Sequence, residues 1–253
     1  MNTSAIEIDH VSFSYGDNRV LDDVSFSIAP QSLCALVGSN GSGKSTLIKC
    51  ITGLLKPQSG SITVHHSNKT TGDQGFGYVE QRHLVTNDFP ISVSEVVGTG
   101  RVTGRGSWFR QSSEDKKAIE HAIESVGLKD HAHCPMSELS GGQQQRVLIA
   151  KAFAGEPDIL ILDEPIAGVD IESQKLFQQA LTHIISEHET TVLLVSHELA
   201  AVADIVDQVV ILKNKVLFND TVEELSTQGI SLGTHSLPIW LAGDTSGHER
   251  NDK

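Results

Sequence analysis

Apolar and polar residues alternate through the first part of the chain. Ile6 and Ile8, then Val11 and Phe13, read as a strand. The Gly16-Asp17-Asn18 cluster breaks it, and Val24-Ser25-Phe26-Ser27-Ile28 resumes strict alternation up to Pro30. Residues 33–37 are then apolar without interruption, the pattern of a parallel strand buried on both faces. This run leads straight into a glycine-rich loop, after which Leu47, Ile48, Ile51, Leu54 and Leu55 recur at helical spacing. The order is strand, loop, helix.

From 91 to 154 the pattern predicts helices. Ser112 and Asp115 have the spacing of a capping box. Ala118, Ile119, Ala122, Ile123 and Val126 form one apolar stripe, stopped by Gly127. Residues 98–107, rich in Gly and Arg, read as an exposed loop. Two further apolar runs, 159–162 and 191–195, flank a helical stretch at 172–187 and predict a βαβ unit. Residues 209–212 and 216–218, on either side of Lys213-Asn214-Lys215, read as a hairpin. Thr221 and Glu224 then cap a last short helix. Past Gly229 the chain turns polar, and 244–253 reads as disordered. No internal repeat appears.

Composition narrows the function classes. The 253 residues carry 19 Lys+Arg against 32 Asp+Glu, a net charge of −13, which supplies no basic face for a nucleic acid. The length allows one large domain or two small ones, with a core that needs no disulfide. Cys34, Cys50 and Cys134 form no C-x-x-C pair and fit a reducing compartment, Cys34 and Cys50 as small core residues. Residues 1–9 lack the pattern of a signal peptide. The longest apolar runs are far shorter than the roughly 18 residues a membrane span requires.

The loop after the first apolar run is Gly38-Ser39-Asn40-Gly41-Ser42-Gly43-Lys44-Ser45-Thr46, a full match to G-x-x-x-x-G-K-[ST]. Glycines let backbone N–H groups turn inward round a β-phosphate, and the following helix adds its positive end. Lys44 reaches the β- and γ-phosphates, and the Ser45 hydroxyl is a magnesium ligand. A nucleoside triphosphate is the expected ligand. Such a site needs an acid at the end of an apolar strand, and Ile159-Leu160-Ile161-Leu162-Asp163-Glu164 supplies two. Asp163 suits Mg²⁺, and Glu164 suits a general base for water.

With Leu139-Ser140-Gly141-Gly142-Gln143-Gln144-Gln145-Arg146 standing before Asp163-Glu164, the chain resembles the nucleotide-binding subunit of an ATP-binding cassette (ABC) transporter. The likeness covers about 5–228. It implies an α/β P-loop NTPase fold with a RecA-like core, an N-terminal antiparallel β part and a helical subdomain inserted at about 91–154. Residues 1–228 would form the single domain and 229–253 the tail. Tyr15 would stack on adenine, with Val20 also lining the nucleotide. Gln81 would be the Q-loop residue and a ligand of Mg²⁺ with Ser45 and Asp163. Gly168-Val169-Asp170 would form the D-loop, and His197 would be the switch histidine. The family also implies a head-to-tail dimer with ATP held between the glycine loop of one copy and Leu139, Ser140, Gly141, Gly142 and Gln143 of the other. Glu164 would polarise the water, His197 contact the γ-phosphate and Gln81 sense Mg²⁺ and the water.

Around Gln81 the resemblance sharpens. Tyr78-Val79-Glu80-Gln81-Arg82, Asp88-Phe89-Pro90-Ile91-Ser92-Val93 and Trp108-Phe109-Arg110 are similar to ATPases of manganese, zinc and iron(II) uptake systems. Glu80 stands where that group usually has proline, and Ile166 where it often has phenylalanine. The resemblance implies a peripheral subunit on the cytoplasmic face of the membrane. It would dock near 82–110 on a permease served by an extracytoplasmic binding protein. Alternatives are the ATPase of a ferric-siderophore or cobalamin importer, or a soluble ABC ATPase of iron–sulfur cluster assembly. DNA-repair ATPases split the cassette by a long insertion that this chain lacks. Twelve histidines include His65-His66 and His131-x-His133-Cys134, but no complete set at zinc spacing, so no cargo metal is expected to bind here.

Overall fold

The computed structural model describes residues 4–65, 75–80, 91–101, 112–165, 170–196 and 199–227. Two sheets form the frame. The antiparallel sheet has the order β2-β1-β4, with β1 at Ile6–Tyr15, β2 at Asn18–Ile28 and β4 at Ser59–Val64. The larger sheet has the order β5-β6-β7-β3-β8-β9. It is built from β3 (Leu33–Val37), β5 (Phe76–Val79), β6 (Ile159–Asp163), β7 (Thr191–Ser196), β8 (Gln208–Lys213) and β9 (Lys215–Asp220). All its pairings are parallel except β8 with β9.

The uninterrupted apolar runs follow from burial on both faces of this sheet. Leu33, Ala35 and Val37 enter one core cluster, with Leu160, Leu162, Val192, Leu194, Val209 and Ile211. The alternate residues Cys34 and Leu36 enter the other, with Ile159, Ile161, Leu193, Val195, Val210 and Leu212. The first cluster lies under α2 (Val93–Gly98), α3 (Ser113–Ser125), α4 (Gly141–Phe153) and α5 (Ile171–His188). The second packs the antiparallel sheet and α1 (Lys44–Ile51) on the opposite face. Cys34 and Cys50 are free thiols inside it, and burial pushes both thiols up.

Between β5 and β6, which are neighbours in the sheet, the chain leaves to form α2, α3 and α4, and these three helices pack on one another. The predicted capping box is present: Ser112 Oγ accepts from Asp115 N–H at 3.0 Å, and the Asp115 carboxylate accepts from Ser112 N–H at 2.9 Å. Arg101 ties this corner together, reaching Asp115 at 3.1 Å and the Ala154 carbonyl at 3.2 Å. Arg146, only 6 % exposed, donates to the Val126 carbonyl at 2.8 Å and so places a cation at the negative end of α3. The final α6 spans Val222–Thr227, with Thr221 Oγ1 accepting from Glu224 N–H.

Two expectations need correction. The helical spacing to Leu55 stops at Ile51, because Gly53 follows in the left-handed region (φ +74°) and turns Leu54 out to 75 % exposure. Residues 98–101 are not an open loop, since Gly98 closes α2 and Thr99–Arg101 make a 3-10 turn. A Cβ at Gly100 would stand 1.9 Å from the Lys151 carbonyl, so the backbones are in contact there. Two strands have no counterpart in the sequence reading: β4, whose alternation is confined to Ser61-Ile62-Thr63-Val64, and the four-residue β5. No helix among the described residues is long and apolar enough to cross a membrane.

Candidate functional site

The glycine loop joins β3 to α1. A Cβ at Gly38 would stand 2.4 Å from the Leu212 carbonyl, and one at Gly43 2.8 Å from that of Val20. Gly43 also adopts φ +104°, which side chains rarely allow. The loop is therefore glycine-rich by steric necessity, pressed between β8 and β2. Gly43 offers α1 no side-chain cap, so the first N–H groups of the helix stay open to a ligand. Ser39, Asn40, Gly41 and Ser45 are exposed, whereas Ser42 and Thr46 are buried.

Lys44 is 8 % exposed, and its ammonium donates to the carbonyls of Gly38 at 2.6 Å and Ser39 at 3.1 Å. Burial lowers its pKa, while the charges of Glu164 and Asp163 oppose that fall. Asp163 ends β6 half-buried. Burial raises its carboxyl, with the Glu164 charge adding to the effect, and the Tyr78 hydroxyl and Lys44 work against it. Glu164 breaks out of the strand with φ +48°, its N–H donating to the Val195 carbonyl at 2.8 Å. A buried cation thus lies in the field of two carboxylates, the charges that a metal-bound polyphosphate requires.

Tyr15 lies at the end of the β1–β2 hairpin, paired with Asn18, 49 % exposed and edge-on to Phe13 with centroids 5.0 Å apart. Its ring is available to a flat ligand. Val20, on the facing strand, sets its carbonyl against Gly43.

The Leu139–Gln143 stretch stands elsewhere. Ser140 caps α4, accepting from Gln143 N–H at 3.3 Å, while the Gln143 side chain accepts from Ser140 N–H at 2.8 Å. Leu139 and Gly142 are buried, and nothing lies within 4 Å of where a Gly141 Cβ would be. Gln143 also meets His131 Nε2 at 3.2 Å. The partners of α4 are chiefly α2, α3, α5, β5 and β6, whereas α1 packs on β2 and β4. Asp170 caps α5, accepting from the N–H and hydroxyl of Ser173 at 2.9 and 2.7 Å, which holds its carboxyl below the usual range.

Gln81, Gly168, Val169 and His197 lie outside the described residues, as do 82–90, 102–110, Ile166 and the 229–253 tail. Among the described residues no three His, Cys, Asp or Glu side chains are set to hold a metal ion. Two residues went unassigned from the motifs: Tyr78, whose hydroxyl meets Asp163, and Asn214, whose N–H meets the Ser42 carbonyl. Only the left-handed tolerance of Asn at a hairpin tip hints at the second.

The chain is similar to known proteins over most of its length. The sequence model described as "ABC transporter" matches residues 21–167, more than half of the chain. A Listeria innocua protein named as the zinc uptake system ATP-binding protein ZurA is 39% identical over 222 residues, 87% of this chain and 86% of its own. The manganese transport system ATP-binding protein MntB of Bacillus subtilis is 38% identical over 217 residues, 85% of this chain and 86% of its own. Among solved structures, an inward-facing conformation of a putative metal-chelate type ABC transporter superposes with TM-score 0.75 at 27% identity. It covers 88% of this chain and 85% of its own.

Proposed function

The chain belongs to the ABC transporter family, and from that premise we propose that it is the ATP-hydrolysing subunit of an importer that energises divalent metal uptake. One observation carries the ATPase reading: buried Lys44, the first residue of α1 after the glycine loop, lies in the field of Asp163 at the end of β6 and of Glu164 next to it, at the open N-terminus of that helix. The loop N–H groups and Lys44 hold the phosphates, and Tyr15 takes the adenine. Ser45, Asp163 and Gln81 have the oxygen donors that suit Mg²⁺, whose part is to neutralise phosphate charge. Glu164 accepts a proton from the attacking water, and His197 contacts the γ-phosphate.

Ser140 and its neighbours cap a helix that packs away from α1, which supports their acting on ATP bound to a second copy, head to tail. Asp170 would lie in the same dimer contact. Residues 1–228 work as one cassette, 91–154 as its helical subdomain and 229–253 as a polar tail. The cassette sits on the cytoplasmic face of the membrane and docks through 82–110 on a permease fed by an extracytoplasmic binding protein. The zinc and manganese uptake named for the relatives supports metal cargo over siderophore or cobalamin import and over cluster assembly.

Cellular manganese, zinc and iron contents in a strain lacking the chain test the cargo. A deficit in one metal, restored by the wild-type chain and not by Lys44→Ala, is expected. Unchanged contents of all three would overturn metal import.

A further inference from the structure

The β8–β9 hairpin touches the glycine loop at two points. The Leu212 carbonyl lies 2.4 Å from where a Gly38 Cβ would be, and the Asn214 N–H donates to the Ser42 carbonyl at 2.9 Å. Asn214 then reaches the other way. Its Nδ2 donates to the carbonyls of Arg19 at 3.0 Å and Val20 at 3.1 Å, and its own carbonyl accepts from Asp22 N–H at 2.8 Å. Next to it, Lys215 and Arg19 both pair with Asp22 at 2.9 Å. One residue is therefore bonded to the loop and to the strand that faces it.

That strand leads to Tyr15. Arg19 is the pairing partner of Ser14, and Asn18 that of Tyr15 itself. A nucleotide held by its base at Tyr15 and by its phosphates at Lys44 spans both pieces, so their separation must match its length, and small displacements cost binding and rate. We propose that Asn214 is a positioning residue that locks the Tyr15 hairpin and the phosphate loop in one register. The proposal rests on the reading that Tyr15 takes the adenine. The residue type fits the task. Asn accepts φ +57°, and its amide supplies two donors for two carbonyls, where Asp would set a carboxylate against them.

The test compares equilibrium binding of ATP and of inorganic tripolyphosphate, which has no base, to the full chain. Asn214→Gly keeps the positive φ and the backbone bonds, and Asn214→Asp keeps the size. Both lose the two amide bonds, and thermal melts check that each folds. ATP affinity should fall roughly tenfold in either variant, with tripolyphosphate affinity within about twofold of wild type. Equal losses for both ligands, or no loss for ATP, would overturn the proposal. Tyr15→Ala separates the two readings. If it weakens ATP binding and the Asn214 variants do not, the register role fails and the adenine site stands. If Tyr15→Ala leaves ATP binding unchanged, the adenine site fails and the register role falls with it.

Discussion

The Tyr78 hydroxyl donates to Oδ2 of Asp163 across 3.4 Å, joining the ends of two neighbouring strands. Tyr78 is three residues before Gln81, on the strand that runs into the proposed permease-docking segment. The carboxylate proposed for Mg²⁺ is thus in contact with the strand that precedes that segment in the chain. Burial and the Asp163 charge push the phenol up to about 12, so it stays a donor through any ordinary assay range. Tyr78→Phe removes the bond and leaves the ring. The Mg²⁺ concentration for half-maximal ATPase activity should rise roughly two- to fivefold, as for one long hydrogen bond. An unchanged Mg²⁺ titration would remove Tyr78 from the site.

Glu164→Gln keeps the shape of the side chain and loses its basicity. ATP binding should persist, while turnover falls by roughly 10²–10³, within the range for loss of a general base. With hydrolysis blocked, ATP should shift the variant towards a dimer in size-exclusion chromatography. Turnover at the wild-type rate would show that another group activates the water.

Lys44→Ala deletes the buried cation that lies in the field of the two carboxylates. ATP affinity should fall by roughly tenfold to a hundredfold, the worth of charge-assisted bonds to phosphate. The Gly38 and Ser39 carbonyls lose their donor as well, so loop order should suffer. Titration with a fluorescent ATP analogue gives the answer, and unaltered binding would place the phosphates elsewhere.

Asp115 ties the start of α3 to Ser112 and Arg101. The Ser112 N–H bond, then the Ser112 hydroxyl and Arg101, hold its carboxyl below the usual range. A folded pKa depressed below the unfolded value means stabilisation that is present above the unfolded pKa and lost as pH falls through the folded one. The melting temperature should therefore drop between pH 6 and acid pH by more in wild type than in Asp115→Asn, which cannot titrate. Parallel acid profiles for the two proteins would contradict this.

Much of the molecule was legible because its signals are local. A glycine loop with Lys44 and Ser45, an apolar run ending in Asp163-Glu164 and a Ser112–Asp115 cap each lie within a few residues, where period and steric need leave a direct mark. The three unbroken apolar runs at 33–37, 159–162 and 191–195 also point to buried parallel strands, and their alternate residues do divide between two core clusters. By contrast, β4 and β5 passed unread. Each is short and gains its hydrogen bonds from a distant strand, β1 or β6, rather than from its own pattern. The end of α1 was misread because apolar spacing continued past a backbone reversal at Gly53.

By itself, then, the order of residues determined the kind of loop, the acids that follow it and the family to which they belong. The tertiary structure decided what presses on them. Tyr78 and Asp163 are 85 positions apart, and Asn214 and Val20 are 194 apart. No periodicity spans such distances. A hydrogen bond between far segments exists only once the sheets have set strand β5 beside β6 and turned the β8–β9 hairpin under the glycine loop, where geometry rather than composition selects the partner.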